Sequence, residues 1–196
     1  KIASYLKTDH HEFILSFKDA ITLIDDFIDT YEDPFTDSSG IPMLLISKLA
    51  SKHVKMVLAG DGGDELFMGY GAYRWANRLS NPLINSFRKP IYSVLNQLPE
   101  RYQRVSSHFS YENKRNMASH IFSQEQCLFS KEEIRDLINE KFNEPISLDS
   151  HCFNFPRVLT PGEQQSLFDM HYYLKDDLLV KVDRASMLNS LEMRAP

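Results

Sequence analysis

The chain of 196 residues has the length of one domain, and its 42% hydrophobic and 25% charged residues are ordinary for a soluble globular protein. Its formal net charge of -5 provides no broad basic face, which argues against nucleic-acid binding. No run approaches the roughly 20 apolar residues that a membrane span requires. We therefore expect small-molecule partners, and neither nucleic acid nor a membrane.

The two cysteines, Cys127 and Cys152, lie far apart and lack the close spacing of zinc ligands. They predict ordinary reduced thiols and a cytoplasmic location. Residues 1–5 lack the pattern of a secretion signal. Because the chain has no initiator Met and stops directly after a strongly patterned segment, we interpret it as an internal piece of a longer protein.

Residues 16–31 have the three-four spacing of apolar residues that predicts an amphipathic helix. Its inward face would be formed by Phe17, Ala20, Ile21, Ile24, Phe27, Ile28 and Tyr31. Turn-forming residues occupy positions 32–40. Pro42 suits the first turn of a second helix that ends near His53 and is apolar on most sides, which predicts that it is buried.

Residues 54–59 form a short apolar and β-branched run that ends at Gly60. Such a run is typical of an interior strand of a parallel sheet. Helix, strand, glycine-rich loop and helix follow one another in that order. The predicted fold is therefore α/β, mostly helical in this chain, with few parallel strands.

The pattern is helical from about Arg74 to residue 159, with interruptions at Pro82, Pro90 and Pro99 and a short amphipathic segment at 132–142. We interpret residues 75–159 as a helical insertion in one domain that covers residues 1–196.

A new helix is predicted to begin after Thr160. This residue can cap the helix, Pro161 suits its first position, and Glu163 completes a capping box.

Asp176 and Asp177 mark the predicted start of one more helix. Lys181 and Arg184, three residues apart, would share one of its faces. The inward face would be formed by Leu178, Val182, Ala185 and residues 187–191.

Glycines and acids are mixed in residues 60–65, Gly-Asp-Gly-Gly-Asp-Glu, directly after the predicted strand. Glycine lets a phosphate or an adenine approach the backbone closely, and ligands of open α/β sheets bind at this edge. Carboxylates repel phosphate, but Mg²⁺ can bridge the two. The loop therefore indicates a nucleotide with a metal ion. The alternative is that Asp64 and Glu65 only stabilise a helix N-terminus, by about 0.3–1 kcal/mol.

Two blocks of the chain resemble the asparagine synthetase family. Residues 57–70 read Val-Leu-Ala-Gly-Asp-Gly-Gly-Asp-Glu-Leu-Phe-Met-Gly-Tyr, similar to the family's apolar strand followed by Ser/Ala-Gly-Glu/Asp-Gly-x-Asp-Glu-Leu-Phe-x-Gly-Tyr. Residues 178–187 and 190–196 resemble the family's late helix and its Glu-x-Arg-x-Pro exit. The two blocks also occur in the family's order.

The resemblance implies an adenine-nucleotide alpha-hydrolase-like (ATP pyrophosphatase) synthetase domain that uses ATP and Mg²⁺. Ala59 and Gly60 would line the adenylate through backbone groups, and Asp64 would help to hold Mg²⁺ on the phosphates. Asp61 occupies the position of a family glutamate that handles the acyl-adenylate intermediate. Because aspartate is one methylene shorter, this position departs from the family pattern.

The resemblance also assigns roles near the end of the chain. Arg184 lies where some members have a lysine that faces the substrate and pyrophosphate, and its guanidinium could stabilise phosphate charge but could not act as a base. The alternative is a surface ion pair with Asp183 or with an acid one turn away. Glu192 and Arg194 are expected to anchor the chain through a buried ion pair or backbone hydrogen bonds.

The family's Ser-Gly-Gly-x-Asp-Ser phosphate loop and its N-terminal glutaminase domain are absent from these residues. In the full-length protein, the resemblance implies that aspartate is activated as an acyl-adenylate and then amidated by ammonia from glutamine. The glutaminase domain of the same chain would supply the ammonia, and a homodimer is compatible with this organisation. The piece alone is expected to be inactive.

Two alternatives stay open from the sequence. Related synthetases with the same motifs activate another carboxylate and form other amides or β-lactams. A catalytically silent nucleotide-binding module is also compatible, since Asp61 replaces the family glutamate.

Overall fold

The computed structural model describes residues 1–14, 16–31, 35–111, 116–126 and 155–195. These residues are mostly helical with a small parallel sheet, in agreement with the predicted α/β class. The chain divides into two compact units, Lys1–Gly60 with Asp177–Pro196, and Asp61–Asp176. The predicted helical segment 132–142 and both cysteines lie outside the described residues.

The elements in chain order are α1 (Ile2–Leu6), α2 (Phe17–Thr22), α3 (Ile24–Thr30), α4 (Gly40–Ala50), β1 (Met56–Leu58), α5 (Gly63–Phe67), α6 (Gly71–Leu79), α7 (Pro82–Ser86), α8 (Arg88–Leu95), α9 (Glu100–Ser107), α10 (Met117–Gln126), α11 (Pro161–Asp169), a π-helical segment (Met170–Leu178), α12 (Leu179–Leu188) and β2 (Glu192–Arg194). None of the described helices is both long enough and apolar enough to cross a membrane.

The single helix predicted for residues 16–31 is two helices. Ser16 begins α2 with a capping box that includes Asp19, and the backbone leaves the helical conformation at Leu23 before α3 starts. The predicted inward face is correct for Tyr31 and wrong for four other residues. Leu23 and Tyr31 are buried, whereas the side chains that lie between 42% and 80% exposed are Phe17, Ile21, Ile24 and Ile28.

The packing of Phe27 explains which face of α3 is buried. Its ring lies so close to Gly40 that an added Cβ there would be 2.6 Å from Phe27 Cε2. Phe27 therefore fixes α3 against the start of α4, and the residues four positions before and after it, Leu23 and Tyr31, point the same way.

Helix α4 begins at Gly40, slightly before the predicted Pro42, and ends at Ala50. Leu44 is buried, but Ile46 is 58% exposed. The prediction that α4 is buried is therefore only partly correct. One face of α4 packs on α12 and α3.

The predicted strand is β1, and it pairs in parallel with β2 in the register Met56↔Glu192, Val57↔Met193 and Leu58↔Arg194. The pairing confirms a parallel sheet. In the described residues, however, β1 is not interior, because the sheet has two strands and Leu58 is 79% exposed.

Glu192 and Arg194 anchor β2 through the backbone, as predicted. Glu192 N–H donates to Lys55 C=O at 2.9 Å, and Arg194 C=O accepts from Ala59 N–H at 2.9 Å. Their side chains form an ion pair with a 2.7 Å Nε–Oε1 distance, but both are more than half exposed. Of the two predicted anchors, the backbone hydrogen bonds are therefore present and the buried ion pair is not.

The core of the second unit lies against α6. It consists of Ala72, Ala76, Leu79, Tyr111 and Ile121, with Tyr70 and Trp75 packed against it. Helices α10 and α11 both pack on α6.

The prolines of the predicted insertion start helices more than they interrupt them. Asn81 caps α7 and Pro82 is the first helical residue. Pro99 occupies the N-cap position of α9. Pro90 lies in the first turn of α8, where its missing N–H has no intrahelical partner to lose.

The predicted start of α11 is confirmed, because Thr160 Oγ1 accepts from Glu163 N–H at 3.3 Å and Glu163 Oε2 accepts from Thr160 N–H at 2.8 Å. The predicted new start at Asp176 and Asp177 is wrong. The chain continues from α11 through the π-helical segment into α12.

The predicted inward face of α12 is partly correct. Leu178, Val182, Ala185 and Leu191 are buried. Met187 and Leu188, in the last turn of α12, are 58% and 56% exposed, so the prediction is wrong for these two residues.

Candidate active site

The glycine-acid loop turns sharply from β1 into α5. Gly62 has φ 88°, a left-handed conformation that favours glycine, and it precedes the first residue of the helix. Asp61 is half-buried, Asp64 is exposed and Glu65 is fully buried. The two acids that open α5 therefore have different surroundings, and one of them is open to a ligand.

Glu65 fixes this short helix to the rest of the second unit. Its carboxylate accepts a 2.8 Å hydrogen bond from the Tyr70 hydroxyl through Oε1. Its backbone carbonyl accepts from Ser166 Oγ of α11 at 2.6 Å. Glu65 is thus a buried structural acid, while Asp64 next to it remains free to act at the surface.

A second buried carboxyl group, Asp169, belongs to the same region. It is 3% exposed, and Gln165 Nε2 donates to its Oδ1 at 2.9 Å. Burial raises the pKa of the Asp169 carboxyl to about 6, and the charge of Glu65 adds to this rise. The second unit therefore contains a carboxyl group that titrates near neutral pH.

Asp64 suits a magnesium ion that is held mainly by nucleotide phosphates. In the described part of the chain, no three His, Cys, Asp or Glu side chains come together as a metal cluster. Mg²⁺ on a nucleotide needs only one or two carboxylates, because phosphates and waters complete its octahedral shell. The exposed Asp64 carboxylate lies against Gly69, in space that a side chain would fill. This single acid fits a nucleotide-bound ion, not an all-protein metal site.

Ala59 and Gly60 follow β1 in the first unit. Ala59 N–H is already used by Arg194 C=O. The backbone group that Ala59 can offer to a ligand is therefore its carbonyl oxygen.

Arg184 is exposed on α12, also in the first unit. It lines an open groove of about 390 Å³ together with Asp29, Thr30 and Leu188. None of the described carboxylates lies within ion-pair distance of its guanidinium. The surface ion pair with Asp183 is therefore not formed, and Arg184 can meet an anionic ligand.

Lys181, three residues earlier, has a different environment. It is 5% exposed, and its Nζ lies 2.6 Å from Asp37 Oδ2 and 2.7 Å from Ser39 Oγ. The Tyr31 hydroxyl donates to the Lys181 carbonyl at 2.8 Å. Lys181 thus fixes the loop before α4 to α12, and it does not share the exposure of Arg184.

The pKa of the Asp37 carboxyl reflects its contacts with Lys181 and Ser39. Burial alone would raise the pKa of the Asp37 carboxyl, but its hydrogen bonds with Lys181 and Ser39 bring that pKa below the ordinary value. Burial, followed by the charge of Asp37, raises the pKa of the Tyr31 hydroxyl to about 12.

A family model described as asparagine synthase matches residues 1–196. The chain belongs to the asparagine synthase family. This confirms the family that the two sequence blocks indicate. No solved structure matches the chain significantly.

Several curated proteins are similar to this family member. A putative asparagine synthetase [glutamine-hydrolyzing] 2 from Methanocaldococcus jannaschii is 33% identical over 95% of the chain and 36% of its own length. Asparagine synthetase [glutamine-hydrolyzing] 1 from Bacillus subtilis is 27% identical over 85% of the chain and 26% of its own length. The Arabidopsis thaliana protein of the same name is 49% identical over 36% of the chain and 12% of its own length. The chain therefore spans about a third or less of the length of these relatives.

The site residues predicted for this asparagine synthase family chain fall in both units. Ala59, Gly60 and Arg184 belong to the first unit, and Asp61 and Asp64 belong to the second. Residues 59–61 are consecutive and lie on the turn that leaves β1. Their roles toward ligands remain predictions.

Sequence reasoning missed three residues that hold these site segments. Lys181 and Asp37 form the buried ion pair, and Ser166 binds the α5 backbone. A lysine between apolar residues of a helix is a weak signal for such a pair. The sequence contains no signal for Ser166, because its contact with Glu65 depends on tertiary packing.

Proposed function

We propose that this chain is part of an ATP-dependent asparagine synthetase (glutamine-hydrolysing) with an adenine-nucleotide alpha-hydrolase-like synthetase domain. The full-length enzyme would activate aspartate as an acyl-adenylate and amidate it with ammonia from glutamine. The observation that carries the proposal is the exposed Asp64 carboxylate, on a glycine turn after a parallel strand, in a chain of the asparagine synthase family.

In this proposal, the chain's own residues bind and orient the nucleotide. Gly60 allows close approach to the backbone, and the Ala59 carbonyl accepts a hydrogen bond from the adenylate. Asp64 holds Mg²⁺, which neutralises phosphate charge when bound. Asp61, the residue after Gly60, orients the acyl-adenylate.

Arg184 supplies fixed positive charge for the phosphate groups. Its guanidinium has no carboxylate partner among the described side chains, and guanidinium groups suit bidentate contacts with phosphate. We assign it electrostatic stabilisation and not proton transfer. Lys181 is buried on Asp37 and is assigned a structural role.

The partners follow from the same proposal. They are ATP, aspartate, glutamine-derived ammonia and the glutaminase domain of the full-length chain, with a cytoplasmic location and a homodimer as the proposed assembly. For the 196-residue chain alone we expect weak ATP binding and no synthesis, since the phosphate loop of the family is not among these residues.

Aspartate-dependent exchange between ATP and labelled pyrophosphate tests the function in the full-length protein. We expect exchange with aspartate, and a reduction of 100-fold or more, on the order of an electrostatic catalytic contact, in Asp64→Asn and Arg184→Met. Arg74→Met is the control for removal of an exposed arginine outside the site. Exchange that is indifferent to aspartate would contradict the substrate, and ATP binding without exchange would contradict the enzymatic function.

A further inference from the structure

Gly69 lies directly against the side chain of Asp64. Helix α5 ends at Phe67, and the next residue, Met68, has a left-handed backbone with φ 56°. Gly69 N–H then donates to Asp64 C=O at 2.9 Å, so the chain folds back over the start of its own helix. A Cβ added to Gly69 would be 2.8 Å from Asp64 Cγ and in direct overlap with Oδ1.

The requirement for glycine at position 69 is spatial and not conformational. Among the described glycines, Gly62 is the residue with positive φ, so Gly69 does not have the left-handed φ that favours glycine. Alanine there would cause no backbone strain and would reduce the entropy of the unfolded chain. The cost of a side chain at position 69 is therefore the displacement of the Asp64 carboxylate.

Contacts of neighbouring residues hold the segment that contains Gly69 and limit its movement away from an added methyl group. Tyr70, the next residue, donates its hydroxyl to the buried Glu65 carboxylate at 2.8 Å. Ser166 Oγ holds the Glu65 carbonyl at 2.6 Å. Asp64 is exposed, and its side chain is the part that can rotate. An added Cβ would thus change the Asp64 rotamer and leave the fold intact.

We infer that Gly69 is a positioning residue for Asp64, and that its lack of a side chain sets the carboxylate orientation that the nucleotide-bound magnesium ion requires. This inference rests on the proposed role of Asp64 as the metal-binding acid. Gly69 itself contacts neither metal nor substrate. It acts by leaving space for one rotamer of its neighbour.

The test compares Gly69→Ala with Gly71→Ala in the full-length protein. A Cβ at Gly71 would meet Glu125 Oε1 at 3.7 Å, an ordinary contact, so this variant is a matched control two residues away. We expect Gly69→Ala to raise the Mg²⁺ concentration needed for half-maximal ATP binding by roughly 10-fold or more, as measured by calorimetry. Gly71→Ala should match the wild type, and the melting temperature should be unchanged in both. Wild-type magnesium dependence in Gly69→Ala would overturn the inference.

A double variant separates the inference from the proposed function. If Gly69 acts through Asp64, Gly69→Ala should cause no further loss in an Asp64→Ala background. Additive losses would overturn the inference. If the magnesium dependence of ATP binding is impaired in Asp64→Ala but normal in Gly69→Ala, the inference about Gly69 fails and the metal role of Asp64 stands. If it is normal in Asp64→Ala, the proposed metal role of Asp64 fails as well.

Stability measurements keep the test decisive if Gly69→Ala folds poorly. The overlap lies between two side-chain positions, so the Asp64→Ala change should restore the melting temperature of Gly69→Ala. Failure to restore it would show that Gly69 is required for another reason and would overturn the inference.

Discussion

Two neighbouring acids, Asp64 and Glu65, show how strongly the surroundings of a residue decide its use. Asp64 is exposed, while Glu65 is fully buried beneath the Tyr70 hydroxyl and Ser166. The sequence predicts a function for the loop but cannot distinguish these two carboxylates, because their difference arises from contacts with α11. The same holds for Lys181 and Arg184, which the sequence places together and the structure separates by burial.

Asp169 gives a prediction at the scale of one residue. Its folded pKa of about 6 lies above the unfolded value of about 3.9, so the folded state binds the proton more tightly. The contribution of protonated Asp169 to the free energy of unfolding is fully present below about pH 4 and is lost as pH rises through 6. Asp169→Asn keeps an acceptor for Gln165 and should be more stable than the wild type above pH 7, by roughly 2–3 kcal/mol.

Urea unfolding of the chain at pH 4 and pH 8 measures this effect. The wild type should lose stability between these pH values relative to Asp169→Asn. Gln164→Glu, which changes an exposed residue of the same helix, is a control without a buried carboxyl group. Equal pH profiles for the wild type and Asp169→Asn would contradict the prediction.

Helix starts are predictable from this sequence where the signal is local. The capping box at Thr160 and Glu163 is found as expected, because its hydrogen bonds involve residues three positions apart. The inward face of α3 is not predictable in the same way. The spacing of its apolar residues is compatible with more than one buried face, and the contact of Phe27 with Gly40 decides which face is buried. The start predicted at Asp176 and Asp177 is wrong because a continuous helix with a π-helical segment leaves no free N-terminus there.

The cap of α11 gives a prediction at the scale of one element. Thr160→Ala removes the acceptor for Glu163 N–H and should cost about 1 kcal/mol of unfolding free energy, whereas Thr160→Ser should cost much less. The Arg157 guanidinium, 2.6 Å away, holds the pKa of Glu163 at about 2, and hydrogen bonds from Thr160 contribute. The contribution of ionised Glu163 to the free energy of unfolding is therefore present above pH 4–5 and declines as pH falls towards 2.

Chemical denaturation of the two Thr160 variants at neutral pH provides the measurement. An equal loss in Thr160→Ala and Thr160→Ser would show that the hydroxyl does not cap the helix.

Several apolar side chains of the first unit are exposed, among them Phe17, Ile28 and Leu58 at 80%, 60% and 79%. The chain corresponds to 36% or less of the length of the relatives described above. Exposed apolar area of this kind promotes association with other apolar surfaces. We expect the isolated chain to bind an apolar dye and to self-associate at micromolar concentration.

The pair Ile24→Ser and Ile28→Ser should reduce dye fluorescence and self-association without lowering the melting temperature. Leu23→Ser, at a residue that is 4% exposed, should destabilise the chain by about 2–5 kcal/mol and increase dye binding. Dye fluorescence and sedimentation velocity distinguish the variants. Unchanged dye binding in the isoleucine pair would show that this surface is not the source of association.

The parallel pairing of β1 with β2 has a consequence for synthesis on the ribosome. β1 leaves the ribosome before the second unit does, but its partner residues 192–194 are translated only after the whole of the second unit. At about 5–20 residues per second, β1 waits on the order of 10 s for its partner. The second unit is continuous in sequence and can fold during that time. Until then the first unit cannot complete its sheet, and the exposed apolar side chains of α2 and α3 are the surface that a chaperone would meet.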